Sequence, residues 1–228
     1  IEQLADDLLA KPGVNPLLRT LWAPRLLAPL RWAAQTIIDG IAEGRVPILT
    51  ASEVRGEIVV DGITLSGKAD RIDRLPDNSL AIVDYKSGSG PAKKAVEAKF
   101  ALQLGLLGAI AEQQGFTKKP ETVSEFAYWR MNRKTGTETF GHIGQPFYKP
   151  TANKDYAIHA GNFVEEAYHR LEVVIETYLN GSAPFTAKLV PEYAYYGDYD
   201  QLMRLEEWIG RERDAGGDAI DAAAGTAP

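Results

Sequence analysis

Gly67-Lys68-Ala69-Asp70-Arg71-Ile72-Asp73, followed after a turn by Ile82-Val83-Asp84-Tyr85-Lys86-Ser87-Gly88, is the stretch from which the rest of the chain can be understood. Both runs read as strands, and Pro76-Asp77-Asn78 between them is a strong turn signal. Asp70 and Asp84 are 14 positions apart, so a hairpin with its midpoint at residue 77 sets them directly opposite each other. Lys86, two positions past Asp84, falls on the same face. Asp73 stands at odd spacing from Asp70 and belongs to the other face, as does Arg71, which reads as structural. The Tyr85 side chain points away from Asp84 and Lys86, while its carbonyl sits between them and is available as a metal ligand. Leu80-Ala81-Ile82-Val83 is apolar on both faces, which predicts a central strand. Acidic and basic residues on a half-exposed hairpin are often only a cross-strand ion pair. A carboxylate at the end of a central strand is costly unless it is used. The Gly/Ser-rich loop after Lys86 lets a backbone approach closely.

Two carboxylates and a lysine on one face suit one kind of chemistry. Mg²⁺ takes oxygen ligands, usually one or two protein carboxylates, and leaves its other positions to water and substrate phosphate. A nearby lysine can orient or deprotonate an attacking water and offset phosphate charge. The pattern therefore points to metal-dependent phosphodiester cleavage.

The surrounding sequence sets bounds on this reading. The chain has 228 residues, 45% hydrophobic and 25% charged, which is enough for a substantial core. It has no cysteine, so disulfides, cysteine-ligated zinc and cysteine-bound iron–sulfur clusters are excluded. No apolar run reaches the ~20 residues of a membrane helix, and the N-terminus lacks the layout of a secretion signal. A cytoplasmic protein with no membrane association is expected. The first residue is not methionine, which suggests a fragment or a processed product. A net charge of −6 argues against coating nucleic acid by bulk positive charge, but not against a local basic path.

A short helix is expected over Ile1 to Ala10, then a turn at Pro12-Gly13. A helix from about Pro24 to Glu43 places Leu26, Leu27, Leu30, Ala33, Ala34, Ile37 and Ile41 on one face, with Pro29 kinking or dividing it and Gly44 as its C-cap. Strands at Ile48 to Val54, Glu57 to Val60, Ile63 to Leu75 and Leu80 to Tyr85 form an antiparallel meander. A helix follows from Lys93 to Gln114, a strand from Glu125 to Met131, a hairpin around Lys134-Thr135-Gly136, and helices from Asp155 to Leu179 and Asp200 to Arg213. Residues 1–20 form a helical lead-in, 21–213 a single α/β domain and 214–228 a disordered tail. Lys93, Lys94 and Lys99 can track a nucleic-acid backbone or simply solvate a helix face. Tyr128, Trp129 and Arg130 are of types that stack on bases, but they sit in an apolar strand and are assigned to the core. His142, His159 and His169 show no ligand spacing. Tyr193, Tyr195, Tyr196 and Tyr199 form an aromatic cluster expected to pack the C-terminal segment.

The two strand motifs, with Gln103-Leu104 in the following helix, resemble the RecB-type branch of the PD-(D/E)XK nucleases. Within it they are most similar to the C-terminal nuclease domains of the alphaproteobacterial AddB family of double-strand-break repair subunits. Trp22-Ala23-Pro24-Arg25, Glu53-Val54-Arg55-Gly56, Tyr199-Asp200 and Arg204-Leu205-Glu206-Glu207-Trp208 extend the resemblance over roughly residues 20–210. It implies a restriction-endonuclease-like α/β core, a mixed central sheet flanked by helices, and an Mg²⁺- or Mn²⁺-dependent deoxyribonuclease of exonuclease type. It implies metal binding by Asp70, Asp84 and the Tyr85 carbonyl, a catalytic Lys86, and Gln103 beside the site. Lys93 and Lys94 are expected to contact substrate. The implied partners are DNA and an AddA-like helicase subunit. The sequence departs from the family in three ways. It has no histidine upstream of His142: the usual upstream ligand either precedes Ile1 or has its place near Gln35 or Glu43. Leu107 stands where tyrosine or glutamate is common, and the cysteines of an iron–sulfur cluster are missing. These departures keep a second expectation open, a nuclease fold retained for DNA binding or subunit contact with weak or no catalysis.

Overall fold

In the computed structural model, the strand carrying Asp84 lies at the centre of a five-stranded mixed sheet. The structure describes residues 16–48, 53–150 and 156–184, together with Gln3, Leu4, Asp7, Ala10, Lys11 and Tyr193. The expected turn at Pro12-Gly13, the helix over 200–213, the tail and all of the tyrosine cluster except Tyr193 lie outside these residues. Of the N-terminal helix, Gln3, Leu4 and Asp7 are described and helical, with Gln3 Nε2 donating to Asp7 Oδ1 at 3.1 Å. The chain falls into two compact units, Ile1–Gly181 and Ser182–Pro228. Every element below belongs to the first.

The order is α1 (Pro16–Ala42), β1 (Val46–Pro47), β2 (Val54–Val60), β3 (Ile63–Ala69), β4 (Arg71–Arg74), β5 (Leu80–Lys86), α2 (Lys93–Glu97), α3 (Gln103–Glu112), β6 (Val123–Arg133), β7 (Phe140–Gly144) and α4 (Phe163–Val174). A π-helical turn over Ile175–Leu179 extends α4. The central sheet runs β1-β4-β5-β6-β7, and β2 and β3 form a separate hairpin. That hairpin turns through Asp61 and Gly62, both at positive φ (48° and 82°), as a tight two-residue connection requires. Pairing of β4 with β5 and of β6 with β7 is antiparallel, whereas β5 and β6 are parallel. This is the mixed central sheet flanked by helices that the sequence led us to expect.

β5 is central because it is apolar on both sides. Leu80 to Asp84 are all buried. On one face Leu80, Ile82, Phe126 and Tyr128 pack with Leu104, Leu107 and Ile110 of α3 and Phe163 and Ala167 of α4. On the other, Val83, Ala127 and Trp129 pack with Ala33 of α1. Asp73, fully buried, holds this second face together through ion pairs with Arg71 (2.8 Å) and Arg45 (3.7 Å). Arg45 also pairs with Glu125. Arg71 lies 5.3 Å from the centre of the Trp129 ring, so the structural reading of Arg71 holds, and Asp73 shares its face.

Several local expectations need correction. The run expected as one strand over 63–75 breaks at Asp70 and moves from the hairpin into the central sheet, so there is no continuous meander. The strand expected over 48–54 is replaced by the short β1 before it and β2 after it, with 49–52 outside the described residues. The helix expected over 93–114 is divided, with Lys99 at φ 59° between α2 and α3. The helix expected from Asp155 begins only at Phe163. Pro29 does not divide α1, which is continuous from Pro16. Its buried face is Pro29, Ala33 and Gly40, while Leu30 and Ile41 are exposed. The sheet meets this helix on small residues because Trp32, Tyr85 and Trp129 already fill the space with edge-to-face contacts at 5.7 Å. Gly44 does cap α1, at φ 89° with its N–H donating to Ile41. Lys134-Thr135-Gly136 lies in the β6–β7 connection, closed by Lys134 N–H on the Thr139 carbonyl.

Candidate active site

The β4–β5 register pairs Arg71 with Val83, Ile72 with Ile82 and Asp73 with Ala81. Extended by one residue, it brings Asp70 opposite Asp84, as the turn at residue 77 predicts. Asp70 occupies the bend between β3 and β4, where its carboxylate is free of ladder pairing. Its Oδ2 accepts the Tyr85 N–H at 2.9 Å and so caps the end of β5. Asp84 is on the α3 side of the sheet and is 5% exposed. Tyr85 points to the α1 side, against Trp129.

Lys86, Asp84 and Gln103 form a closed set. The Lys86 ammonium lies 2.8 Å from Asp84 Oδ2 and donates to Gln103 Oε1 at 3.4 Å, and Gln103 Nε2 donates to Asp84 Oδ1 at 3.2 Å. Gln103 reaches both because it is the first residue of α3, which opens beside the end of β5. The buried Asp84 Oδ2 has the Lys86 ammonium as its close polar neighbour. Burial pushes the Asp84 carboxyl above the usual aspartate range. Lys86 opposes that rise, and the nearby charge of Asp70 adds to it. Tyr128, paired with Asp84 across the parallel ladder, is fully buried with an unpartnered hydroxyl, and burial and Asp84 raise its pKa.

Asp70 and Asp84 are hard oxygen donors close enough for their charges to act on each other, the kind of donor that a divalent metal takes. The donor set therefore fits a divalent metal that keeps several waters. Among the described residues no group of three or more His, Asp or Glu side chains converges. Of the two upstream candidates, Gln35 is exposed and donates to Asp39 at 2.7 Å, and Glu43 is exposed beyond the end of α1. Leu107 is a core residue against β3 rather than a site residue.

The expected substrate contacts separate. Lys93 is half-buried, with its ammonium 5.7 Å from the Tyr148 ring centre, and Lys94 is exposed. Lys99 is tied to Glu166 of α4 at 2.5 Å, so it serves packing between helices. Tyr128 and Trp129 are core, as assigned, but Arg130 is not. It pairs in register with Lys86, and its guanidinium lies beside the loop at Gly90. Only the parallel alignment of β5 with β6 reveals this, and that pairing leaves no local mark in the sequence.

The model of the PD-(D/E)XK nuclease superfamily matches residues 2–211. Over shorter stretches the chain is similar to two uncharacterized rickettsial proteins. One, from Rickettsia conorii, is 39% identical over 69 residues, 30% of this chain and 8% of that protein. The other, from Rickettsia felis, is 36% identical over 72 residues, 32% of this chain and 8% of that protein. The aligned stretch is thus a small part of the length of each relative.

Proposed function

The chain belongs to the PD-(D/E)XK nuclease superfamily, and on that premise we propose that it hydrolyses DNA phosphodiesters with a divalent metal, as the exonuclease-type domain of a helicase–nuclease repair complex. The observation that carries this reading is the closed set of Asp84, Lys86 and Gln103, with Asp70 beside it on the Tyr85 N–H. Asp70, Asp84 and the Tyr85 carbonyl would hold Mg²⁺ or Mn²⁺, which supplies phosphate polarisation and water activation. Gln103 fixes Asp84 through Oδ1 and leaves Oδ2 turned to the Lys86 ammonium. Lys86, held on both sides, places a positive charge where a phosphate oxygen comes to rest and offsets the charge that develops there. The RecB-type assignment, the likeness to AddB-family domains, the AddA-like partner and a cytoplasmic setting rest on the sequence resemblance.

Cleavage of labelled single-stranded DNA in Mg²⁺ or Mn²⁺ tests the proposal. Asp84→Ala and Lys86→Ala should each lower the rate by at least ~100-fold. Cleavage persisting in both purified variants would overturn it.

A second reading is supported by the convergence of only two carboxylates among the described residues: a nuclease fold that binds DNA or a subunit without turnover. Calorimetric titration with Mn²⁺ separates the two. An enzyme binds the ion and loses it in Asp70→Asn, whereas a non-catalytic module takes up none.

A further inference from the structure

We propose that Arg130, with Lys93, is a clamp for a backbone phosphate of the polynucleotide next to the one being cleaved. The proposal rests on the nuclease reading and adds to it a binding residue on an element that carries no part of the metal site.

The basis is an arginine that lacks the carboxylate partner that Arg45, Arg71, Arg74 and, on its own strand, Arg133 have. Arg45 meets Asp73 and Glu125, Arg71 meets Asp73, and Arg74 meets Glu121. Arg130 has no carboxylate partner among the described residues, and its Nε is buried without a hydrogen bond. A half-buried guanidinium without a counter-charge is unfavourable, and here its neighbours make it worse. A Cβ at Gly90 would lie 3.5 Å from Lys86 Cγ and 4.0 Å from Arg130 Nε and Nη2, so the two cationic side chains flank the same glycine. Arg130 and Lys149 are close enough to Lys93 that their charges, after burial, lower its pKa. The Tyr148 ring holds the Lys93 ammonium in place at 5.7 Å.

Space has been left for this arrangement. A Cβ at Gly144 would come within 3.0 Å of Arg130 Nε and 3.2 Å of Cζ, so the guanidinium lies flat over a bare stretch of β7. Lys86, beside Asp84, is therefore a neighbour of Arg130, and Arg130 of Lys93, in a protein whose net charge is −6. The ligand that relieves this repulsion is an extended polyanion that enters at Asp84 and continues over Arg130. A guanidinium fork suits a phosphodiester better than an ammonium does.

The test is binding of fluorescein-labelled oligothymidylate, read by anisotropy in Ca²⁺ across a series of NaCl concentrations. Arg130→Met should weaken binding roughly tenfold. It should also reduce the slope of log K against log salt by about 0.7, the value of one contact on a single strand. Arg130→Lys should recover the slope but only part of the affinity. Lys93→Met, on a separate element, should lower the slope as well. Because the removed charge is unpaired, Arg130→Met should melt no lower than the parent. If both methionine variants keep the parental slope, the clamp is wrong. If the slopes fall but no DNA is cleaved in Mg²⁺ or Mn²⁺, the clamp stands and the nuclease reading fails. If DNA is cleaved but the slopes are unchanged, the nuclease reading stands and the clamp fails.

Discussion

Asp84 is buried more deeply than any other carboxylate at the site. Its pKa is raised because desolvation and Asp70 together outweigh the favourable contact to Lys86. The folded chain therefore holds this proton to higher pH than the unfolded chain does. The contribution of the group to stability falls as pH rises from the ordinary aspartate range through the raised value. The ionised form, present above that range, is the one that a cation needs. In metal-free buffer Asp84→Asn should raise the Tm at pH 8, and the gain should vanish on acidification as the parental carboxyl takes up its proton. Cleavage by the same variant should collapse. Asp73 has the opposite character. It is also buried but sits between Arg71 and Arg45, so Asp73→Ala leaves Arg71 without its carboxylate and Arg45 with Glu125 alone, and should cost about 3 kcal/mol in urea denaturation. The sequence separates these two aspartates by strand parity alone, because parity depends only on neighbours in the chain. It assigns Arg130 to the core because the partner of Arg130 is on a strand that β6 joins only after a crossover.

The central strand was readable from its composition, since four consecutive apolar residues need cover on both faces. The breaks were harder to foresee. Nothing in Lys68 to Ile72 announces that the chain changes sheets at Asp70, because either sheet satisfies the same alternation. The helix divides at Lys99, which takes a positive φ and reaches Glu166 of α4 through its side chain, and helical spacing marks neither. The position of α3 rests on close approach to α4. A Cβ at Gly105 would fall 2.6 Å from the Ala167 Cβ and 2.8 Å from the Phe163 carbonyl. Gly105→Val should separate the helices and destabilise the protein by ~1–3 kcal/mol. It should also slow cleavage beyond the loss of folded protein, since Gln103 begins that helix. Chemical denaturation and activity measured on the same samples distinguish the two effects.

In the first unit, a chain of net negative charge concentrates cations at one end of its sheet and carboxylates just inside them. Fold class was legible because alternating and doubly apolar strands separated by helices admit few arrangements. The parallel step between β5 and β6, which completes the basic corner, was not. If the carboxylates bind metal, the whole unit should gain stability by mass action. Its Tm should climb steadily with Mn²⁺, corresponding to about 2.7 kcal/mol at a hundredfold excess over Kd, and Asp84→Asn should abolish the rise.

Asp70 stands where the β2–β3 hairpin meets the central sheet, whereas Asp84 is embedded in that sheet. The far end of the hairpin is fastened at the Asp61 carbonyl by Asn180 Nδ2 at 3.2 Å, just after the π-helical turn. The hairpin thus has one site carboxylate at its base and its tip hydrogen-bonded to the residue after the π-helical turn that extends α4. The seven residues of β3 therefore tie the candidate site, at Asp70, to the end of the helix that covers the α3 side of the core.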